Sequence, residues 1–200
     1  PRMSKSVDFY YDYGSPAAYL AWTQMDRIAA ATGATVNRLP VVLGAVFKAT
    51  GNSAPITVPL KGRYLFTDLK RWAAHWGVAL KFNPNFPINT INLMKLAHGV
   101  KLRQPEKLAA LDAAVFRAIW VDALNLNDAA VCSDMLAAAG FPADEVAALI
   151  ADDEVRAGVR AVTEEAVARG MFGAPTFFVN GEMYWGQDRL FMVEAALAAA

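Results

Sequence analysis

Strand-like sequence lies at the two ends of this 200-residue chain, and helical patterns fill the space between them. Near the N-terminus, an aromatic-rich run over 6–13 predicts a buried strand. The apolar spacing that follows predicts a helix from Ser15 to Thr32, and 35–41 predicts a second strand. Because a strand–helix–strand crossover is right-handed and joins parallel strands, we expect these two strands to be parallel.

Near the C-terminus, the runs T176-F177-F178-V179 and E182-M183-Y184-W185 flank Asn180-Gly181, the dipeptide typical of a two-residue β-hairpin. A helix is predicted after this hairpin, from 187 or 188 to 197. The element order is therefore β-α-β, a long helical block, and β-β-α. This order is typical of an α/β, thioredoxin-like fold with an all-helical insertion, although other α/β folds with insertions would fit nearly as well.

The helical block begins with a short apolar stretch from residue 43, which gives way to a loop near Thr50. Prolines and asparagines predict an irregular segment over 82–87. We expect residues 5–42 and 170–200 to form the thioredoxin-like domain, and 43–169 to form a helical insertion domain. The predicted helices of the block are 61–76, 89–103, 106–123, 127–138, 142–151 and 152–169.

Charge and composition narrow the classes of function that we expect for this chain. Nineteen basic and nineteen acidic side chains cancel without forming a basic cluster, which argues against a nucleic-acid or membrane surface. No run is long and apolar enough for a membrane span, and the start, PRMSKSVDFYYD, lacks the apolar core of a signal peptide. We therefore expect a cytoplasmic protein. The single cysteine, Cys132, rules out a disulfide framework and a CxxC redox pair, and no metal site is predicted.

Ser15 and Pro16 stand where the first strand gives way to a helix. Serine is a favoured N-cap and proline a favoured first helical residue, so capping alone can explain this pair. The hydroxyl would also lie beside free N–H groups at the positive end of the helix dipole, where an anion such as a thiolate is stabilised.

Gly173-Ala174-Pro175-Thr176 precedes the first strand of the hairpin. Proline after a small residue in a tight turn suits a cis peptide bond. In a thioredoxin-like fold this loop would face the start of the first helix, and the backbone of Ala174 could pair with an extended peptide. Taken alone, Ala-Pro at a strand start is usually only an edge signal.

Gln187 and Asp188 begin the last predicted helix. An amide and a carboxylate in a first turn have a plain capping explanation. The functional interpretation is recognition of an amino-acid head group, with the carboxylate binding the ammonium and the amide binding the carboxylate.

Three stretches together resemble the 2-hydroxychromene-2-carboxylate isomerases of the kappa-class glutathione transferase family. They are VDFYYDYGSPAAYLA, GNSAP followed by LKGRYLFTDLKRWA, and FGAPTFFVNGEMYWGQDRLFMVE. The resemblance covers essentially the whole chain and implies a DsbA-like thioredoxin fold, an enzyme that uses reduced glutathione, and a homodimer.

The resemblance also implies site residues. Ser15 matches the serine that hydrogen-bonds the glutathione sulfur, and is the expected catalytic residue. The other expected glutathione-binding residues are Asn52 and Lys61 on the opposite wall, Ala174 with Pro175 at the cysteinyl portion, and Gln187 with Asp188 at the γ-glutamyl group. Gln187 is a departure, because the family often has Ser or Asn there.

The reaction that the resemblance implies interconverts 2-hydroxychromene-2-carboxylate and trans-o-hydroxybenzylidenepyruvate by reversible addition of a thiolate to a conjugated double bond. A hydroxyl donor and a helix N-terminus could lower the pKa of a thiol by about one to two units, toward neutrality. Candidates for the aromatic carboxylate substrate are Arg63, Tyr64 and Trp185. Two alternatives share the glutathione site: a kappa-like transferase that conjugates an electrophile, and a non-catalytic glutathione-binding module.

Overall fold

The computed structural model describes residues 5–200, so residues 1–4 of the N-terminal stretch considered above for a signal peptide lie outside the described part. The described chain contains a four-stranded sheet in the order β2-β1-β3-β4. The strands are β1 (Ser6–Tyr11), β2 (Thr35–Pro40), β3 (Thr176–Val179) and β4 (Glu182–Trp185).

The sheet joins the two ends of the chain. β1 runs parallel to β2, as the crossover rule predicts, and antiparallel to β3, which forms the hairpin with β4. Phe9 of β1 lies opposite Phe177 of β3, and their rings stack with centroids 5.3 Å apart. The two strand-rich ends therefore form one sheet, and the predicted thioredoxin-like fold is confirmed.

The remaining elements described between residues 5 and 200 are helical, with bounds close to those predicted. Three short 3-10 turns cover Pro55–Thr57, Pro105–Lys107 and Gln187–Arg189. The α-helices are α1 (Pro16–Thr32), α2 (Leu43–Thr50), α3 (Pro59–Trp76), α4 (Ile91–Arg103), α5 (Leu108–Trp120), α6 (Ala129–Ala138), α7 (Ala143–Ala151), α8 (Asp153–Ala168) and α9 (Leu190–Ala199).

Two helical bounds differ from the sequence pattern. The apolar stretch before the loop at Thr50 is a helix, α2, which ends at Gly51 with a φ of 72°. α5 is shorter than the predicted helix over 106–123, because it begins after a 3-10 turn and ends at Trp120, whose indole nitrogen donates to the Tyr13 carbonyl at 2.8 Å. In both places, tertiary contacts and single-residue backbone geometry decided the end of the element.

The core lies on both faces of the sheet. Alternate β1 residues Val7, Phe9 and Tyr11 face the larger cluster, which includes residues of α1, α4, α5 and α9. Tyr10 faces a smaller cluster with Phe178, covered by α2 and α8. The larger cluster includes residues from the strand-rich ends and from the helical block, so the two predicted domains share one core. The boundaries between them stay a prediction.

Candidate active site

Ser15 caps α1, as its position in the sequence predicts. Its backbone is extended, with φ −97° and ψ 116°, and its Oγ accepts a hydrogen bond from the Ala18 N–H at 3.1 Å. The turn before it is closed by the Ser15 N–H, which donates to the Asp12 carbonyl at 3.0 Å. Pro16 is the first helical residue, where its missing N–H costs nothing.

The same hydroxyl reaches the loop before β3. The Ala174-Pro175 peptide bond is cis, as predicted, and the Ser15 hydroxyl donates to the Ala174 carbonyl at 3.2 Å. The start of α1 and the cis-proline loop therefore face each other. Only 6% of Ser15 is exposed, so this hydroxyl is largely shielded from bulk water.

A cavity of about 750 Å³ opens beside Ser15. Its walls are the start of α1, the segment from α2 to the first turns of α3, the 172–174 loop and the residues around the end of β4. Seven of the ten predicted site residues line this cleft: Ser15, Asn52, Lys61, Ala174, Trp185, Gln187 and Asp188. Pro175 follows Ala174 directly, behind the wall.

Asn52 and Lys61 lie on the part of the cleft wall that the segment from α2 to α3 forms. The Asn52 amide donates to the Phe172 carbonyl at 2.8 Å, which ties the loop after α2 to the cis-proline loop. Lys61, in the first turn of α3, is exposed and is the one cationic side chain among the residues that line the described cleft. The acidic residues there are Asp68 and Asp188.

Gln187 and Asp188 do not act as helix caps. Neither the 3-10 turn over 187–189 nor α9 has a side-chain cap hydrogen bond, so the plain capping explanation is wrong here. Gln187 is buried within the cleft wall, whereas Asp188 is partly exposed and forms an ion pair with Arg189. Gly186 permits this arrangement, because its φ is 96° and a Cβ would lie 2.5 Å from the Asp188 Oδ1.

Trp185 forms an aromatic wall at the end of β4. Its indole packs on Phe172, with ring centroids 5.1 Å apart and an interplanar angle of 51°. A Cβ on Gly173 would lie 2.7 Å from the Trp185 Nε1, so a glycine is needed for this approach. With 47% of the residue exposed, Trp185 retains a surface on which a ligand ring could stack.

Arg63 and Tyr64 do not line the cleft, and their expected contacts with the substrate stay a prediction. On α3, the residues that line it are Lys61, Leu65, Phe66 and Asp68. Arg63 is exposed, and Tyr64, which is 63% exposed, lies in an adjoining groove. The groove and the cleft share four residues: Pro55, Lys61, Leu65 and Asp68.

Sequence reasoning missed Asp12, which is only 3% exposed although it is a carboxylate. Its Oδ1 accepts hydrogen bonds from the Gly14 N–H at 2.9 Å and the Thr90 hydroxyl at 2.6 Å, and its Oδ2 accepts from the Leu43 N–H at 2.8 Å. Burial raises the pKa of Asp12, and the three hydrogen bonds oppose that effect. The available signal was a carboxylate inside an aromatic strand, three residues before Ser15.

Cys132 lies away from this site. It is half-buried and lines a second, mostly apolar cavity of about 750 Å³ between α4, α6 and α7. Burial raises the pKa of its thiol, which disfavours a reactive thiolate. Within residues 5–200, no three His, Cys, Asp or Glu side chains group as metal ligands, and no helix is long and apolar enough to cross a membrane.

A model of the DSBA-like thioredoxin domain matches residues 6–198. The chain belongs to this DsbA-like thioredoxin family. Within the family, two bacterial relatives are similar over nearly the whole chain, and both are named 2-hydroxychromene-2-carboxylate isomerase. The one from Sphingobium xenophagum is 30% identical over 98% of this chain and 99% of its own length. The one from Pseudomonas putida is 31% identical over 96% of this chain and 93% of its own.

A further relative and two solved structures extend the comparison. The human glutathione S-transferase kappa 1 is 24% identical over 94% of this chain and 88% of its own length. A solved 2-hydroxychromene-2-carboxylate isomerase superposes with a TM-score of 0.82 at 29% identity, covering 97% of this chain and 95% of its own. A probable DsbA oxidoreductase from Streptomyces coelicolor, at 23% identity and a TM-score of 0.71 over 98% and 89%, shares the fold. The expectation that this family member is an enzyme is confirmed.

Proposed function

We propose that the protein is a glutathione-dependent isomerase that interconverts 2-hydroxychromene-2-carboxylate and trans-o-hydroxybenzylidenepyruvate. The observation that carries the proposal is the Ser15 hydroxyl, held at the start of α1 and facing the cis-proline loop inside a cleft. Isomerases that are similar to this chain in sequence and structure support the choice of substrate.

The cleft fits a thiol tripeptide in size and in chemistry. Its volume of about 750 Å³ is within the range of small-molecule sites, about 300–1,000 Å³. Lys61 would bind a carboxylate of glutathione, and Asp188 would bind the γ-glutamyl ammonium in place of Arg189. Asn52, Gln187 and the backbone of Ala174, with Pro175 holding the loop, offer hydrogen-bonding partners to the amide bonds.

Ser15 would stabilise a thiolate by rotating its O–H group, so that the hydrogen points toward the sulfur. A hydroxyl has one hydrogen, and that of Ser15 is directed at the Ala174 carbonyl. Turning it toward a sulfur anion would exchange a neutral hydrogen bond for a charge-assisted one, which is roughly twice as strong. Because Pro16 has no N–H and the Ala18 N–H bonds Ser15, the Ala17 N–H beside the cleft adds a donor without a helical partner.

When bound, glutathione would supply the nucleophile, whose reversible addition to the conjugated double bond makes that bond single and free to rotate. The chain itself holds and orients the two partners. Trp185 offers an aromatic surface at the mouth of the cleft, and Lys61 offers a cation to the substrate carboxylate if it is not engaged by glutathione. Phe86 and Phe172 add apolar walls for an aromatic ring.

A kappa-like glutathione transferase is the second candidate, and the similarity to the human kappa-class enzyme favours it. It would use the same Ser15 cleft and differ in the electrophile. A non-catalytic glutathione-binding module would use the cleft without turnover. A thiol–disulfide oxidoreductase is excluded by the cysteine count, because Cys132 is the only cysteine and Gly14-Ser15-Pro16-Ala17 contains no sulfur.

The deciding experiment follows ring opening of 2-hydroxychromene-2-carboxylate by absorbance, with and without glutathione, in wild type and Ser15→Ala. Glutathione-dependent turnover that collapses in a folded Ser15→Ala variant supports the isomerase. Glutathione binding without turnover supports a transferase if an electrophile such as 1-chloro-2,4-dinitrobenzene is conjugated, and a binding module if it is not. Failure to bind glutathione contradicts all three proposals.

We further propose a cytoplasmic homodimer, as the family resemblance implies. Sedimentation velocity over a range of concentrations tests the dimer, and fractionation of the producing cell tests the location. A monomer at every concentration would contradict the first proposal, and recovery outside the cytoplasm would contradict the second.

A further inference from the structure

Asp12 is a buried carboxylate that the proposed reaction does not use. It lies between the end of β1 and Ser15, and it makes no contact with a cationic side chain within 4.0 Å in the described part of the chain. A buried charge without a counter-ion is costly unless donors surround it. Three donors do so here, from Gly14, Leu43 and Thr90.

These three donors belong to three segments, two of which line the cleft. Gly14 is in the turn that carries Ser15, and Leu43 begins α2; both residues line the cleft. Thr90 precedes α4, and although it holds the N-cap position its hydroxyl does not cap that helix but donates to Asp12. One carboxylate therefore joins the Ser15 turn to the facing α2 wall and anchors both to α4.

Met94 and Trp120 bond the backbone of Tyr13 at the start of this turn, whereas Asp12 bonds the residues nearest to the Ser15 hydroxyl. The Ser15 N–H donates to the Asp12 carbonyl oxygen, so both the side chain and the backbone of Asp12 contact the Gly14-Ser15 segment. A Cβ on Gly14 would lie 3.4 Å from both the Asp12 Oδ1 and the Thr90 Oγ1, which shows how closely the turn is packed on this pair. We therefore expect a change in the Asp12–Thr90 contact to affect the position of Ser15.

We infer that Asp12, oriented by Thr90, is a positioning residue that holds the Ser15 hydroxyl and the α2 wall in register for binding a thiolate. This inference rests on the proposed function. Asp12 itself does not line the cleft, so it acts through Gly14, Ser15 and Leu43.

The test is the pair Thr90→Val and Thr90→Ser. Valine keeps the shape and loses the hydroxyl, whereas serine keeps the donor. In Thr90→Val, the Ser15 turn loses support and the buried carboxylate loses a donor that balances its charge, and both effects disfavour a nearby anion. The readout is the pKa of the bound glutathione thiol, from its thiolate absorbance against pH, with S-methylglutathione as the blank.

We expect the thiol pKa in the complex to rise by about 0.5 unit or more in Thr90→Val, which is a roughly threefold loss of thiolate at neutral pH. Thr90→Ser should behave as wild type. A Thr90→Val variant that melts at a lower temperature but binds glutathione with an unchanged thiol pKa would overturn the inference, since a merely structural role predicts that result.

A second pair serves if Thr90→Val does not fold. Leu43→Pro removes the N–H that donates to Asp12, at a first helical position where proline is favoured and after Val42, whose extended φ of −96° and ψ of 100° suit a residue before proline. Leu43→Ala removes the same side chain and keeps the N–H. We expect the thiol pKa to be higher in Leu43→Pro than in Leu43→Ala, and equal values would overturn the inference.

The thiol pKa of glutathione bound to the wild-type protein distinguishes a failure of this inference from a failure of the proposed function. If wild-type protein does not lower the pKa of the glutathione thiol, the proposed function fails before any variant is considered. If wild type lowers it and both pairs of variants match wild type, only the role of Asp12 fails.

Discussion

The Ser15 hydroxyl and the Ala174 carbonyl, 159 residues apart in sequence, lie 3.2 Å apart across the base of the cleft. The hydroxyl also accepts from the Ala18 N–H, so one oxygen caps α1 and reaches the cis-proline loop. A thiolate that takes the hydroxyl hydrogen would do so without removing the cap, because the cap uses a lone pair of the oxygen and the sulfur would use its hydrogen.

Ser15→Ala should show whether Ser15 acts only as a helix cap or also as a hydrogen-bond donor to the glutathione thiolate. Losing the cap costs about 1 kcal/mol of unfolding free energy. Losing the donor should raise the pKa of the bound glutathione thiol by about one unit, and turnover at neutral pH should fall tenfold or more. The matched control is Asp128→Ala, which removes the cap of α6, bonded to the Ala130 and Val131 N–H groups. Similar losses of activity in the two variants would contradict a role for Ser15 beyond capping.

Lys61→Met and Asp188→Asn should weaken glutathione binding. Each change removes a charged partner, and a hydrogen bond to a charged group contributes about 1.5–3 kcal/mol, so we expect the Kd to rise tenfold or more. Isothermal titration calorimetry measures the change. Lys70→Met, on the same helix, and Arg63→Met are the controls, because neither residue lines the cleft. A loss of affinity in Arg63→Met equal to that in Lys61→Met would restore Arg63 as a ligand contact.

Gly173→Ala should displace Trp185 from the cleft wall. The new Cβ would lie 2.7 Å from the indole Nε1, so the half-exposed ring must swing outward and lose its contact with Phe172. We expect a KM for the aromatic substrate at least threefold higher. The unfolding free energy should fall by about 1 kcal/mol, at the low end of the usual cost of added volume, because the ring can move into solvent. Gly44→Ala is the control, because open space surrounds that position in α2. An unchanged KM would show that Trp185 does not contact the substrate.

Asp112 should make the protein less stable as pH rises. This carboxylate is fully buried and accepts from the Tyr11 and Tyr13 hydroxyls at 2.8 and 2.6 Å, while the nearest Arg38 nitrogen is 3.9 Å away. Burial is the main cause that raises its pKa from 3.8 to about 6. The folded state thus binds the proton more tightly than the unfolded state, and the stabilisation is complete below about pH 4 and lost as pH rises through 6.

This shift of about two units corresponds to about 3 kcal/mol of unfolding free energy between pH 4 and 7. Urea unfolding at several pH values measures it. Asp112→Asn should flatten the dependence, whereas Asp26→Asn, at an exposed carboxylate paired with the same Arg38, should not. The raised pKa of Asp12 acts in the same direction in all three proteins, so the comparison of slopes isolates Asp112. Equal slopes in Asp112→Asn and wild type would contradict the assignment.

Local chemistry determined most of the fold. The Asn180-Gly181 turn and its flanking strands, the capped start of α1 and the cis bond before Pro175 follow from backbone preferences that act over a few residues, so the sequence alone predicted them. The family resemblance, carried by the same stretches, indicated Ser15, Asn52, Gln187 and Asp188, and the structure places all four on one cleft.

Only the tertiary structure decided how these parts meet. Lys61 of α3 lines the cleft whereas Arg63 and Tyr64 do not, and a spacing of two or three residues on a helix does not reveal which side chains a cleft will include. The hydrogen-bond partners of Asp12 were hidden for a related reason, because its donors come from Gly14, Leu43 and Thr90, up to 78 residues away. Local backbone preferences depend on residues that are neighbours in sequence, whereas the partners of a buried charge depend on which distant segments pack beside it.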